Sequence, residues 1–167
     1  GLVSVWSFNE TSAGAVVDAH GSNDGTNNGA TINQTGKLDK AYDFNGTSDY
    51  VNIPHNSSLN VGTELTIASW IYVSDAHTSA DGYVIIKADD MATASDKFEY
   101  RLNNNTNNDT ITGCVSTDGL FSGSTSVISS GTITRDAWNL IVMRCDGTNL
   151  ELFINDTKDS NSASFSS

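Results

Sequence analysis

Two short segments of the sequence concentrate oxygen-bearing side chains of the kind that bind calcium. The first, D-A-H-G-S-N-D-G-T, contains Asp18, Asn23 and Asp24, and the second, N-G-T-S-D-Y, contains Asn45 and Asp49. Calcium takes about six to eight oxygens from carboxylates, amides and backbone carbonyls, and neither segment has EF-hand spacing. The alternative is that both are Asn-Gly or Asp-Gly turns. If an ion binds, Asp18 and Asp49 are the preferred carboxylates and its role is structural.

A second kind of chemistry is the stacking of aromatic rings on sugars. Aromatic side chains near loops or strand ends offer flat apolar faces to a ligand. The candidates in such positions are Tyr50, Tyr83, Tyr100 and Phe121.

Motifs for bond cleavage are missing. The glutamates are far apart in the sequence, at Glu10, Glu64, Glu99 and Glu151. The histidines form no close pair of the kind that binds zinc, and no Gly-x-Ser-x-Gly nucleophile elbow occurs. We therefore predict that the protein is not an enzyme. A glycan-active enzyme that works through a pair of its sixteen aspartates is the remaining alternative.

The charge balance excludes several partners. Twenty acidic and eight basic residues give a formal charge of -12, which repels nucleic acids and anionic membranes. No run of about eighteen apolar residues occurs, so we predict no membrane insertion, and residues 1–8 have no signal-peptide features. Cys114 and Cys145 form either one disulfide or two buried thiols.

The elements that position these residues are β-strands. Asn, Ser and Thr make up 58 of the 167 residues, and these types favour turns and exposed strand faces over helix interiors. About ten short apolar segments alternate with turn residues, with no helical crossovers between them. This pattern predicts one all-β domain over residues 1–167, a two-sheet antiparallel sandwich. Residues 65–73 and 138–145 are apolar on both faces, so we expect both to be central strands.

Eight motifs in order resemble laminin-G-like domains, in particular the prokaryotic and phage group of the concanavalin A-like lectin/glucanase jelly rolls. The resemblance covers roughly residues 3–156. It departs from the family pattern at Asn139, where His is usual, and at Asp156, where Gly is usual. The motifs include V-W-S-F-N-E (5–10), A-Y-D-F-N-G-T-S-D-Y-V (41–51), L-T-I-A-S-W-I (65–71), W-N-L-I-V (138–142) and L-E-L-F-I-N-D (150–156).

The resemblance implies a jelly roll that binds carbohydrate or a protein surface without catalysis. It favours a bound calcium ion over the turn interpretation and implies that Trp6, Trp70 and Trp138 pack in the core. It also implies a location outside the cell, on a cell surface or on a virion.

Family members continue beyond the position of Ser167 into one or two more strands. This predicts either a truncated chain or a strand supplied by a neighbouring subunit, because an uncovered sheet edge exposes backbone groups. The second case would make the protein a structural subunit of a filament, pilus or virion.

Overall fold

The architecture is that of a computed structural model of the 167-residue chain. The structure describes residues 1–60, 62, 64–77, 81–88, 98–105, 107–116, 118–120 and 123–164. These residues form thirteen β-strands and one 3-10 turn, with antiparallel pairing throughout, which confirms the predicted all-β class. The chain divides into two compact units, residues 1–60 and 61–167, and the prediction of a single domain stays a prediction.

The first unit consists of short strands joined by turns. The elements are β1 (Ala15–Val16), β2 (Gly25–Asn28), β3 (Thr31–Thr35), β4 (Lys40–Asp43), β5 (Tyr50–Asn52) and a 3-10 turn over Ser57–Leu59. β1, β2 and β5 form one sheet, and β3 pairs with β4. Val16, Ala30 and Tyr42 form the small core of this unit, and the ring of Phe8 packs 4.9 Å from that of Tyr42.

The second unit is a sandwich of two four-stranded antiparallel sheets, as predicted. The strands are β6 (Glu64–Tyr72), β7 (Asp81–Ala88), β8 (Phe98–Asn105), β9 (Thr110–Ser116), β10 (Ser124–Thr132), β11 (Trp138–Asp146), β12 (Asn149–Ile154) and β13 (Thr157–Ser164). One sheet has the order β10-β9-β8-β7 and the other β13-β12-β11-β6.

The core of the second unit lies between these two sheets. Leu102 and Ile111 of one sheet and Met143 and Leu152 of the other are fully buried in one cluster. Gly113 of β9 also faces the opposite sheet, because a Cβ atom there would lie 2.9 Å from both Leu152 Cδ2 and Met143 Sδ. Glycine therefore lets the two sheets approach closely at this point.

A buried carboxylate fastens β10 to β13, which belong to different sheets. Asp159 accepts hydrogen bonds from the backbone N–H groups of Ser130 (2.9 Å), Gly131 (2.8 Å) and Asn161 (2.8 Å). The Asn161 side chain donates in turn to the carbonyl of Ile128. Burial raises the pKa of Asp159, but these backbone hydrogen bonds outweigh it and lower the pKa overall. The two sheets are thus joined along this side by hydrogen bonds as well as by packing.

One strand prediction is wrong. β6 was expected to be a central strand covered on both faces, but it is the end strand of its sheet, and its outward side chains are exposed. β11 does lie inside the sheet, between β12 and β6. Cys114 of β9 and Cys145 of β11 are buried free thiols in different sheets.

Candidate functional site

The carboxylate of Asp18 is the centre of a hydrogen-bond cluster in the first unit. Its Oδ1 atom accepts from the backbone N–H groups of Val5 (2.9 Å), His20 (3.1 Å) and Gly21 (3.0 Å), and its Oδ2 atom accepts from Asn23 (3.0 Å). Only 5% of Asp18 is exposed. Burial raises the pKa of Asp18, but the four backbone hydrogen bonds outweigh it and hold the pKa well below its usual range. Asp18 is therefore ionised, and both of its carboxylate oxygens accept backbone hydrogen bonds.

The neighbouring predicted ligands serve the same cluster. The buried Asn23 side chain donates to Ser4 Oγ (2.7 Å) and Ser58 Oγ (3.1 Å). Asp24 Oδ1 accepts the backbone N–H of Asp18 at 2.8 Å. These contacts tie the loop to residues far away in the sequence and close it around Asp18.

The second predicted loop is organised in the same way. Asn45 Oδ1 accepts backbone N–H groups from Thr47, Ser48 and Asp49. The Asp49 carboxylate accepts two hydrogen bonds from Asn45, one from its backbone N–H (3.0 Å) and one from the Asn45 side-chain amide (2.9 Å). Gly29 packs against this carboxylate, since a Cβ atom at Gly29 would lie 2.4 Å from Asp49 Oδ1. The loop is a self-contained turn.

The hydrogen bonds of Asp18 compete with a calcium ion for its carboxylate, and the predicted calcium site stays a prediction. A carboxylate offers about two lone-pair positions on each oxygen, and three N–H donors converge on Oδ1 of Asp18 while one reaches Oδ2. A cation at Oδ1 would have to displace backbone donors that point their partial positive charge at this oxygen. Among the described residues, no group of three or more His, Cys, Asp or Glu side chains is arranged to hold a metal.

The predicted sugar-stacking residues occupy different surroundings. Tyr50 of β5 and Tyr83 of β7 are 57% and 49% exposed, and they belong to different units. Phe121 lies outside the described residues. Tyr100 is only 6% exposed and belongs to the core of the second unit, so the prediction of a surface role for it is wrong. Burial and the nearby charge of Glu99 raise the pKa of Tyr100 to about 12.

Tyr100 is buried because of strand alternation. Side chains two residues apart in a strand point to the same side, and Tyr100 shares its side with Leu102, which faces the opposite sheet. Its position near a strand end did not reveal this orientation.

A group of aromatic residues on the outer side of the sheet that contains β6 and β11 was not predicted from the sequence. Leu65, Ile67 and Ile71 of β6 belong to or pack against the core, so Trp70 and Tyr72 point outward. Trp70 is 36% exposed and Tyr72 48% exposed, which corrects the prediction that Trp70 is a core residue. Trp6, by contrast, packs partly buried against the core of the first unit.

These outward side chains form a continuous patch with those of β11. Tyr72 pairs with Trp138, Trp70 with Leu140 and Ala68 with Val142, and these six residues are called the aromatic face below. The rings of Tyr72 and Trp138 meet edge to face, with centroids 5.7 Å apart. Exposed large aromatic side chains grouped on one surface are typical of binding sites.

Arg144, which follows Val142 on β11 at one end of the aromatic face, is part of a cluster of ion pairs. Arg144 Nε lies 3.4 Å from Glu151 Oε2, and a second nitrogen of the guanidinium lies 3.6 Å from Asp146 Oδ2. The ammonium group of Lys158 contacts the other oxygen of Glu151. The end of the aromatic face near Val142 therefore carries charges that are paired with one another.

Two antiparallel sheets packed face to face, with aromatic residues on an open outer surface, define the protein as a lectin-like β-sandwich. The family model described as the concanavalin A-like lectin/glucanases superfamily matches residues 45–167, and the chain belongs to this family. The predicted resemblance is thereby confirmed.

A solved structure is similar over almost the whole chain. It is the crystal structure of residues 221–444 of an S-layer domain-containing protein from Clostridium thermocellum ATCC 27405. The TM-score is 0.58 and the identity 18%, and the match covers 99% of this chain and 73% of that one. A comparison with curated protein sequences gives no match. None of the described residues form a helix with the length and apolar character needed to cross a bilayer.

Proposed function

We propose that this protein is a noncatalytic recognition module that lies outside the cell or on a cell surface. We further propose that it binds carbohydrate through the aromatic face. The observation that carries the proposal is the exposure of Trp70 and Tyr72 beside Trp138 on the outer side of a sheet. Large aromatic side chains lose favourable burial when they face water. A ligand that covers the rings recovers it, and sugar rings have apolar faces of matching size.

The environments of the glutamates support a noncatalytic role. Hydrolysis with retention needs two carboxyl groups about 5–5.5 Å apart that are free to act on the sugar. Glu10 instead accepts hydrogen bonds from the backbone of Val17 and from the Tyr42 hydroxyl. Glu99 pairs with Lys87, and Glu151 holds two cations. Three of the four glutamates thus have structural partners.

The proposed location rests on the similar solved structure, which belongs to an S-layer domain-containing protein and so supports a surface module. The charge of -12 repels nucleic acids and anionic membranes, which disfavours both as partners.

The first prediction concerns binding by the aromatic face. Replacing Trp70 or Tyr72 with Ala should weaken binding to soluble polysaccharides such as xyloglucan, hydroxyethyl cellulose or dextran by about tenfold, because each ring supplies roughly 1.4 kcal/mol. Isothermal titration calorimetry and affinity electrophoresis measure the change. Both side chains are also partly buried, so each variant loses some stability, and thermal unfolding checks that binding is compared on folded protein.

Tyr83→Ala is the matched control, since Tyr83 is similarly exposed but lies on the other sheet. Loss of binding in Tyr83→Ala but not in Trp70→Ala would place the site elsewhere. Release of reducing sugar from any of these polysaccharides would contradict the noncatalytic role.

A further inference from the structure

The aromatic face has the shape of a strip. Neighbouring strands lie about 4.8 Å apart, and side chains on one face of a strand recur about every 6.8 Å. Three cross-strand pairs, from Tyr72 and Trp138 through Trp70 and Leu140 to Ala68 and Val142, therefore form a strip two strands wide and about 14 Å long. A strip on the outer side of a sheet can bind the middle of a polysaccharide chain, whereas recognition of a single small group usually needs a concave pocket.

The charges around the strip disfavour an acidic ligand. The guanidinium of Arg144 interacts with Asp146 and Glu151, and Lys158 interacts with Glu151. An incoming uronate or sulfate group would have to compete with these carboxylates for the cations. It would also approach a protein with a net charge of -12.

A second copy of the chain is a poor occupant of the strip. An aromatic side chain has about 150–250 Å² of surface, so three partly exposed rings offer roughly 300 Å². A stable protein interface buries about 800 Å² on each partner. Two copies would also bring together two charges of -12.

We propose that the ligand of the aromatic face is a neutral polysaccharide, bound along its chain by stacking of successive sugar rings. This inference rests on the proposed function and narrows it to one class of glycan. Stacking on Trp70 and Tyr72 requires no charge on the ligand, and a strip of about 14 Å accommodates about three rings in a row.

The test compares polymers that share a backbone and differ in charge. Hydroxyethyl cellulose is paired with carboxymethyl cellulose, and dextran with dextran sulfate, each titrated into the full chain by calorimetry at low salt. In the pair whose backbone binds, the affinity of the neutral polymer should be at least about tenfold higher than that of the charged polymer. The difference should shrink at about 1 M NaCl, where charges are screened beyond roughly 3 Å. Neutral oligosaccharides of the same backbone should gain affinity up to about three sugars and then level off.

The outcomes separate the two proposals. If charged and neutral members bind equally, or the charged one binds better, and Trp70→Ala still weakens binding about tenfold, the inference is wrong and the proposed function stands. If Trp70→Ala changes no binding, or if the wild type forms a dimer that Trp70→Ala dissolves, both are wrong. Single sugars that bind as tightly as oligosaccharides would contradict the extended strip.

Discussion

Asp18→Ala is expected to destabilise the first unit by about 3 kcal/mol or more, a large part of the roughly 5–15 kcal/mol that stabilises a typical domain. The substitution leaves the N–H groups of Val5, Gly21 and Asn23, among others, without the carboxylate that accepts them. Each buried donor left unsatisfied costs about 1–3 kcal/mol, although such costs do not add fully. Urea denaturation followed by circular dichroism measures the loss.

Asp49→Ala is the matched control for this experiment. It removes the other carboxylate favoured as a calcium ligand, but the partner groups of Asp49 belong to an exposed turn. Water can replace those contacts, so we expect a loss below about 1 kcal/mol. Equal effects of the two substitutions would contradict the structural importance assigned to Asp18.

The pH dependence follows from the depressed pKa of Asp18. A carboxyl group with a lowered pKa in the folded state stabilises fully above its unfolded pKa, and this contribution is lost as the pH falls through the folded pKa. The stability difference between wild type and Asp18→Ala should therefore be constant near neutral pH and shrink as the pH falls below about 3.8. Denaturation midpoints at pH 7, at about pH 4 and at about pH 2.5 measure it.

The same variants test the role of calcium. Since N–H donors occupy the oxygens of Asp18, adding calcium or a chelator should leave the midpoint of the wild type unchanged. An ion that binds only the folded state raises the midpoint with its concentration. A calcium-dependent rise that Asp18→Ala abolishes would show that the loop holds the ion after all.

The strands of the second unit were largely predictable because their pattern is local. Residues 110–116 place Ile111 and Val115 on one side among small or polar residues, and they form β9 with the predicted bounds. β13 was not predicted, since T-K-D-S-N-S-A-S carries no apolar alternation. It becomes a strand by pairing with β12 and through the contacts of Asp159 with β10, which are properties of the tertiary structure.

The candidate site was less predictable for two physical reasons. An Asp among glycines suits both a metal ion and a ring of backbone N–H groups, and only the fold decides which of them meets the carboxylate of Asp18. Likewise, the apolar residues on both faces of β6 indicate that each face favours burial. They do not indicate whether another part of the fold covers each face. Trp70 and Tyr72 were therefore expected in a covered layer, whereas they form an open surface.

Gly113→Val is expected to destabilise the second unit by about 2–3 kcal/mol, because the added side chain enters the closest approach of the two sheets. Even a Cβ atom at Gly113 would lie 2.9 Å from Leu152 Cδ2 and Met143 Sδ, which is too close for unstrained contact. Gly82→Val in β7 is the matched control, as a Cβ atom there meets nothing within 4 Å. The control should remain within about 0.5 kcal/mol of wild type in urea denaturation.

A double substitution distinguishes this clash from a general effect of valine on β9. Leu152→Ala alone leaves a cavity and costs about 2–5 kcal/mol, but in the Gly113→Val background the same cavity gives the valine room. The double variant should therefore lose about 1 kcal/mol less than the two single variants combined. Strict additivity would place the strain in the backbone of β9, whereas coupling places it between the sheets, where Gly113 sets how closely they pack.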